Sequence, residues 1–416
     1  MGHTLIEKVI GGKVGRKVRP GEIVTIDVDW CMIDDIMAPF AIQKFEEMGF
    51  TKIWDPDRVV LIYDHFLPAT QTDDSRHFRQ ADAFAEKYGI KNIHRTDGIC
   101  HQLMTEAGYV KPGDIAFGTD SHTVTYGCVG AFATGIGYTE MAGILGTGQL
   151  WIRVPESIRV TIDGVLPANV TSKDVILRII GDLTASGATY QSLEFGGSAI
   201  EAMSISSRMT MANMAVEAGA KCGIFAPDEK TAEYCNIPYD AQLEGLRPDA
   251  DAVYSRELHY QAEDLVPVLA CPSLVDNIHP VSEKAGTRID QVFLGSCTNG
   301  RLEDLHTAAR ILQGKKIAPY LKMIVTPASR KIYRQALADG TLEILSDAGA
   351  IITTPGCGLC CGRAGGILSD GEVVLATNNR NFLGRMGTSK VQIYLASPAT
   401  AAASALTGEI TAAPLA

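Results

Sequence analysis

Thr353-Thr354-Pro355-Gly356-Cys357-Gly358-Leu359-Cys360-Cys361-Gly362, read with Gly295-Ser296-Cys297-Thr298-Asn299-Gly300 upstream of it, decides how this chain is understood. In each stretch cysteine stands in a short loop crowded with glycine and small residues. Each follows an apolar run that reads as a buried strand, Gln291 to Leu294 and Gly349 to Ile352. Small neighbours let backbone N–H groups approach sulfide or thiolate closely, and thiolate is the ligand that an iron–sulfur cluster requires. Two such loops can converge on one inorganic centre, and three thiolates leave one iron of a four-iron cube unclaimed. Spacing alone keeps other centres open. A C-x-x-C pair also serves zinc, although no second C-x-x-C or H-x3-H lies nearby, and it serves thioredoxin-like redox pairs, which belong to much smaller domains. Cys297, Cys357 and Cys360 have the favoured spacing, with Cys361 an adjacent competitor.

Around these loops the chain from Thr287 onward alternates strand, loop and helix. A strand over Glu372 to Thr377 delivers Asn379 and Arg380, and helices over Leu302 to Leu312 and Ser329 to Ala338 intervene. That is the βαβ rhythm of a parallel sheet, in an α/β fold. The N-terminal part has the same character. A strand over residues 21–29 is followed by a helix carrying Phe40, Ile42 and Phe45. The apolar run Arg58 to Tyr63 delivers Asp64-His65, a helix spans Ala81 to Tyr88, and Ile115-Ala116-Phe117 exits into Gly118-Thr119-Asp120-Ser121-His122-Thr123. Ligands gather beyond the carboxyl ends of strands in open α/β sheets, so both histidine motifs stand where chemistry is expected.

Near Ser157 the pattern changes to the alternation of a half-exposed strand, Ile158 to Gly164. Helices over Ser172 to Ser186 and Met209 to Ala218 follow, the second placing Asn213 and Glu217 on one face. Residues 226–283 are richer in charge and proline and read as a smaller lobe approaching a linker. The expected division is therefore 1–156, 157–286 and 287–416.

The segments Gly118 to Thr123, Gly295 to Gly300, Pro355-Gly356-Cys357-Gly358-x-Cys360 and Asn379-Arg380-Asn381-Phe382-x-Gly384-Arg385 resemble the aconitase superfamily, in the same order and over almost the whole length. Within it the chain resembles the large subunits of the isopropylmalate dehydratase and homoaconitase group. The resemblance implies a three-subdomain fold with parallel-rich sheets around a central 4Fe-4S cluster held by Cys297, Cys357 and Cys360, and without the swivel domain of single-chain aconitases. It implies catalytic roles for Asp64, His65, His101, Asp120, His122 and Glu217, paired as His65 with Asp64, His101 with Asp120 and His122 with Glu217. A carboxylate partner fixes an imidazole's orientation and stabilises its charged form. Ser121, Asn213, Arg380 and Arg385 are implied substrate contacts, the arginines suited to bidentate capture of carboxylates. Met37 and Ala38 are apolar where many relatives carry a polar contact, and Ala212 stands where relatives often have cysteine.

The implied activity is a hydro-lyase: reversible dehydration of a substituted malate, with 3-isopropylmalate leading and homoaconitate, citramalate, 2,3-dimethylmalate and maleate chemistry as alternatives. The implied partner is a separate small subunit carrying the swivel domain, and the substrate is a small di- or tricarboxylic hydroxy acid. A non-catalytic iron–sulfur sensor is the rival from another class, and a sensor would need the cysteines but not the Asp–His pairs.

Composition bounds these readings. A chain of 416 residues, 46% hydrophobic and 20% charged, can bury a sizeable core in two or three subdomains. Net charge of −11 without a basic run argues against nucleic acid. Ten scattered cysteines suit a reducing cytoplasm rather than a disulfide framework. No apolar stretch reaches membrane-spanning length.

Overall fold

The computed structural model describes residues 2–414, and the chain divides into two compact units. One comprises the chain through Arg95, Leu103–Asp163 and Ala188–Tyr260; the other comprises Thr96–Gln102, Gly164–Gly187 and the chain from Gln261 onward.

In the first unit, β1 (Ile23–Asp27), β2 (Trp30–Asp34), β3 (Val59–Ile62), β4 (Asn92–His94), β5 (Ile115–Gly118), β6 (Phe132–Gly135) and β7 (Gln149–Arg153) precede β8 (Ser157–Asp163), β9 (Ser192–Gly196), β10 (Cys222–Phe225) and β11 (Arg256–Gln261). Five of them form a sheet in the order β4-β3-β2-β5-β6, parallel throughout. A parallel sheet covered on both faces needs continuous apolar strands. Val59 to Ile62 and Ile115 to Gly118 supply them and are buried at every position. Phe45, Phe84, Met141 and Leu145 pack with Cys31, Ile33, Leu61 and Phe117 in the core. Strands β8, β9 and β10 are parallel neighbours in a four-stranded sheet completed by β11.

The strand expected over residues 21–29 is in fact only β1, which pairs antiparallel with β7 in a separate ribbon. The next residues, Trp30 to Asp34, make the central strand β2, a stretch to which the sequence pattern assigns no element. The helix expected from Ala81 begins at Thr72. Its first turns are polar and largely exposed, so they carry no apolar period, and Asp74 caps them by accepting from the Thr70 and Gln71 N–H groups.

In the second unit, β12 (Val268–Ala270), β13 (Ile278–Pro280), β14 (Gln291–Gly295), β15 (Lys322–Thr326), β16 (Ile351–Ile352), β17 (Val373–Ala376) and β18 (Gln392–Leu395) form one sheet in the order β13-β12-β18-β17-β14-β15-β16. The stretch 226–283 contributes β11 to one sheet and β12 and β13 to another. The run Gly349 to Ile352, expected as a buried strand, yields a two-residue edge strand with Ile351 56% exposed. Helix Pro398–Thr407 closes the unit, its alanines buried. Among the described residues no helix is long and apolar enough to cross a membrane.

Candidate active site

Each of the two large sheets has a point where strand order reverses, and there the loops leaving neighbouring strands diverge and open a crevice. In the first unit this lies between β2 and β5, and the residues beyond β2, β3 and β5 are Asp35, Asp64-His65 and Thr119-Asp120. His65 Nδ1 lies 2.7 Å from Asp64 Oδ1 and 3.6 Å from Asp35 Oδ1. The Asp35 carboxylate also accepts the backbone N–H groups of His65 at 3.1 Å and Phe66 at 2.8 Å, which fixes the loop that carries the imidazole. His65 Nε2 points to Asp120 Oδ2 at 3.8 Å. Burial alone would lower the His65 pKa, but the Asp64 charge and the hydrogen bonds to Asp35 and Asp64 outweigh it and hold the imidazole well above its ordinary range. Asp34 ends β2 and accepts the N–H groups of Ile36 and Met37 at 2.9 Å each. Burial, the largest influence, pushes its carboxyl up to about 6.

His122 belongs to the same unit. Its Nε2 lies 2.7 Å from Glu217 Oε1, with both side chains almost wholly buried. Asp120 caps the 3-10 turn Ser121–Val129 by accepting the His122 N–H at 2.7 Å. Ser121 Oγ sits 3.4 Å from His122 Nδ1. The helix expected over Met209 to Ala218 runs Ile205–Met214 and then tightens into a 3-10 turn at Ala215–Ala218. Asn213 and Glu217 are both buried, and Asn213 Nδ2 donates to Thr125 Oγ1 at 2.9 Å.

In the second unit the reversal falls between β14 and β17. Beyond β14 comes Ser296-Cys297, and beyond β17 come Thr377, Asn378, Asn379 and Arg380. The exit from β14 is tight. Gly295 has φ +148, its missing Cβ would lie 2.2 Å from Thr326 O, and Ser296 adopts φ 63, in a region that non-glycine residues rarely enter. Arg301, 1% exposed, holds this loop from behind, donating to Thr298 O at 2.6 Å and Cys297 O at 2.5 Å while its Nε reaches Gln102 Oε1 at 3.2 Å.

Cys297, Cys357 and Cys360 are all buried. The Asn379 side chain links two of them: its Nδ2 lies 3.5 Å from Cys297 Sγ, and its Oδ1 accepts from Cys360 Sγ at 3.7 Å. Cys357 hydrogen-bonds to Cys360. That bond, with the Arg385 guanidinium whose Nη2 is 3.7 Å from Cys360 Sγ, holds the Cys360 thiol well below its usual range. Cys361 is less buried, donates from its Sγ to Gly358 O at 3.2 Å and also hydrogen-bonds to Cys357. Three soft donors gathered in a dry pocket with a cationic neighbour are the donor set that an iron–sulfur cluster requires. Arg380 and Arg385 flank the same turn, both half-buried, and Arg385 Nε is buried without a hydrogen-bond partner among the described residues. His101, at the start of helix Cys100–Glu106, belongs to this unit and its expected partner Asp120 to the other; within its own unit its Nε2 is 3.5 Å from Cys100 Sγ.

Asp35, Arg301 and the role of Asn379 were absent from the sequence-based expectations. Asn379 stood inside a quoted motif. Asp35 gave no signal because its partners, His65 and Phe66, lie far away in sequence, and Arg301 because its side-chain partner is the distant Gln102.

A family model described as the aconitase family (aconitate hydratase) matches residues 7–287 and 283–408. The chain is 47% identical to the 3-isopropylmalate dehydratase large subunit 1 of Methanopyrus kandleri, over 99% of each chain. It is 49% identical to the 3-isopropylmalate dehydratase large subunit of a Sulfurihydrogenibium species, over 99% of this chain and 96% of the other. A crystal structure of aconitase X from Thermococcus kodakaraensis matches in fold with a TM-score of 0.50 at 14% identity, covering 91% of this chain and 89% of that one. With the family model spanning nearly the whole sequence and relatives this similar end to end, the chain belongs to the aconitase family.

Proposed function

We propose that this hydro-lyase is the large subunit of a 3-isopropylmalate dehydratase, interconverting 2- and 3-isopropylmalate by removing and re-adding water. The observation that carries the reading is that the Asn379 side chain links Cys297 and Cys360 while Cys357 hydrogen-bonds to Cys360, together with relatives of that name matched from end to end. The three cysteines would hold a 4Fe-4S cluster. When bound, such a cluster offers a Lewis-acidic iron that helps a hydroxide leave.

The side chains supply the rest. Hydroxide is a poor leaving group without a proton, and His65, kept charged by Asp64 and Asp35, is a fixed donor. His122, oriented by Glu217, and Asp120 are the remaining acid–base groups of the first unit, and His101 joins them in role. Ser121 and Asn213 are substrate contacts. Arg380 and Arg385 bind substrate carboxylates through bidentate guanidinium contacts, which neither a lysine nor a neutral donor reproduces. A small partner subunit supplies the base for the carbon-bound proton and selects the substituent of the malate.

The test is anaerobic iron–sulfur reconstitution with the small subunit, followed by ultraviolet assay on isopropylmaleate, citraconate, dimethylmaleate and maleate. Hydration of isopropylmaleate fastest among the four is the expected result. A loaded complex inert towards all four contradicts the enzyme reading, and preference for another of them transfers it to that malate.

A further inference from the structure

Lys173 lies in the first turn of helix Ser172–Leu183 and is 0% exposed, among the largest fully buried side chains of the chain. Lysine is almost never buried this completely unless paired, because an ammonium removed from water loses several kcal/mol of hydration. Its two hydrogen bonds go not to a carboxylate but to main-chain carbonyls, Thr377 O at 2.7 Å and Asn378 O at 2.6 Å. Those carbonyls belong to the turn that leaves β17. The next residue is Asn379, whose side chain lies against the sulfurs of Cys297 and Cys360.

The ammonium therefore clamps the strand exit that touches both sulfurs. Carbonyl dipoles compensate part of its charge, and a full negative charge nearby is needed for the rest. Desolvation, the largest influence, lowers the Lys173 pKa to about 7, and the Cys360 and Cys297 sulfurs, when charged, lead the groups that raise it, ahead of Asp304 and Asp174. Three thiolates around a four-iron cube supply such a negative charge, in a dry setting where Coulomb interactions are screened least.

We propose that Lys173 is a positioning residue and the buried counter-charge of the cluster: it locks the Thr377–Asn379 turn against the sulfurs and raises the reduction potential of the centre. The inference rests on the iron–sulfur reading given under the proposed function. Adding an electron to the cluster adds negative charge, and a fixed cation beside it favours the reduced form.

Wild type, Lys173→Met, Lys173→Gln and Lys173→Arg are reconstituted anaerobically as full-length chains with the small subunit, and the potential of each is read by redox titration followed by electron paramagnetic resonance. Arginine keeps the charge, whereas glutamine keeps two N–H donors for the carbonyls and loses it. The expected result is a wild-type potential in the arginine variant and a shift to lower potential in the methionine and glutamine variants. Unshifted potentials in both neutral variants overturn the counter-charge role. Should the methionine variant not fold, the other two decide: equal potentials for glutamine and arginine overturn it. A wild-type complex that takes up no iron overturns the cluster reading itself and this inference with it, which separates the two failures.

Discussion

Asp35→Asn probes the aspartate–histidine cluster of the first unit most sharply, because one carboxylate there both shapes a loop and sets a charge. Asp35 accepts two backbone N–H groups, one buried and one partly buried, from His65 at 3.1 Å and Phe66 at 2.8 Å. An amide offers one acceptor oxygen where the carboxylate offers two, so one bond is lost and the other weakens to a neutral one. A hydrogen bond to a charged group contributes about 1.5–3 kcal/mol, so the variant loses about 2 kcal/mol of stability. The charge change has its own signature. The His65 pKa stands well above the ordinary 6.5, the burial penalty being outweighed by Asp64 and Asp35. A folded value raised above the unfolded one contributes stability that is fully present below the unfolded pKa and lost as pH rises through the folded pKa. In Asp35→Asn the folded value moves down, so that loss sets in at lower pH. The assay is urea unfolding of the isolated chain across a pH series that starts below the unfolded histidine value, with His65 followed by magnetic resonance of isotope-labelled imidazoles. An unchanged unfolding midpoint together with an unmoved His65 titration would refute the assignment of Asp35 as the loop's anchor.

Glu217→Gln removes the carboxylate that orients His122 at 2.7 Å. Turnover should fall by roughly 10²–10⁴ with KM little changed, and steady-state kinetics of the reconstituted complex checks this; a change confined to KM speaks against an acid–base role. Asp34→Asn should flatten the acid limb of the stability curve. The carboxyl is pushed up to about 6 from 3.8, so the folded chain binds the proton more tightly and stability falls as pH rises through that interval, by on the order of 3 kcal/mol. Unfolding measured across the interval should show that slope in wild type and lose it in the variant. Gly98→Ala places a Cβ 2.4 Å from Ala328 O at φ +136, where Ile99 N–H also bonds to Ala328 O. It should destabilise by more than about 1 kcal/mol, read as a lower thermal midpoint, and a wild-type midpoint counts against the close approach.

Much of the site was legible because it follows a local rule. Val59 to Ile62 and Val292 to Gly295 are apolar throughout and lead into Asp64-His65 and Ser296-Cys297, so a reader of sequence can see both a buried strand and what it delivers. The motifs of the family then assign roles along those exits. What remained hidden depends on partners far apart in the chain. Lys173 looks like any charged residue near a helix start, yet it reaches Thr377 and Asn378. Arg301 reads as the end of a loop, yet its Nε meets Gln102. Trp30 to Asp34 was lost for another reason: it follows β1 with only Val28-Asp29 between, and no glycine or proline marks the break.

In the proposed function Cys297, Cys357 and Cys360, and not Cys361, hold the inorganic centre. Iron and acid-labile sulfide are to be determined after anaerobic reconstitution of wild type and of four serine variants, one at each of these cysteines. Loss of the cluster at 297, 357 and 360, with full content in Cys361→Ser, is the predicted result. Full content in any of the first three, or loss on replacing Cys361, would contradict the account.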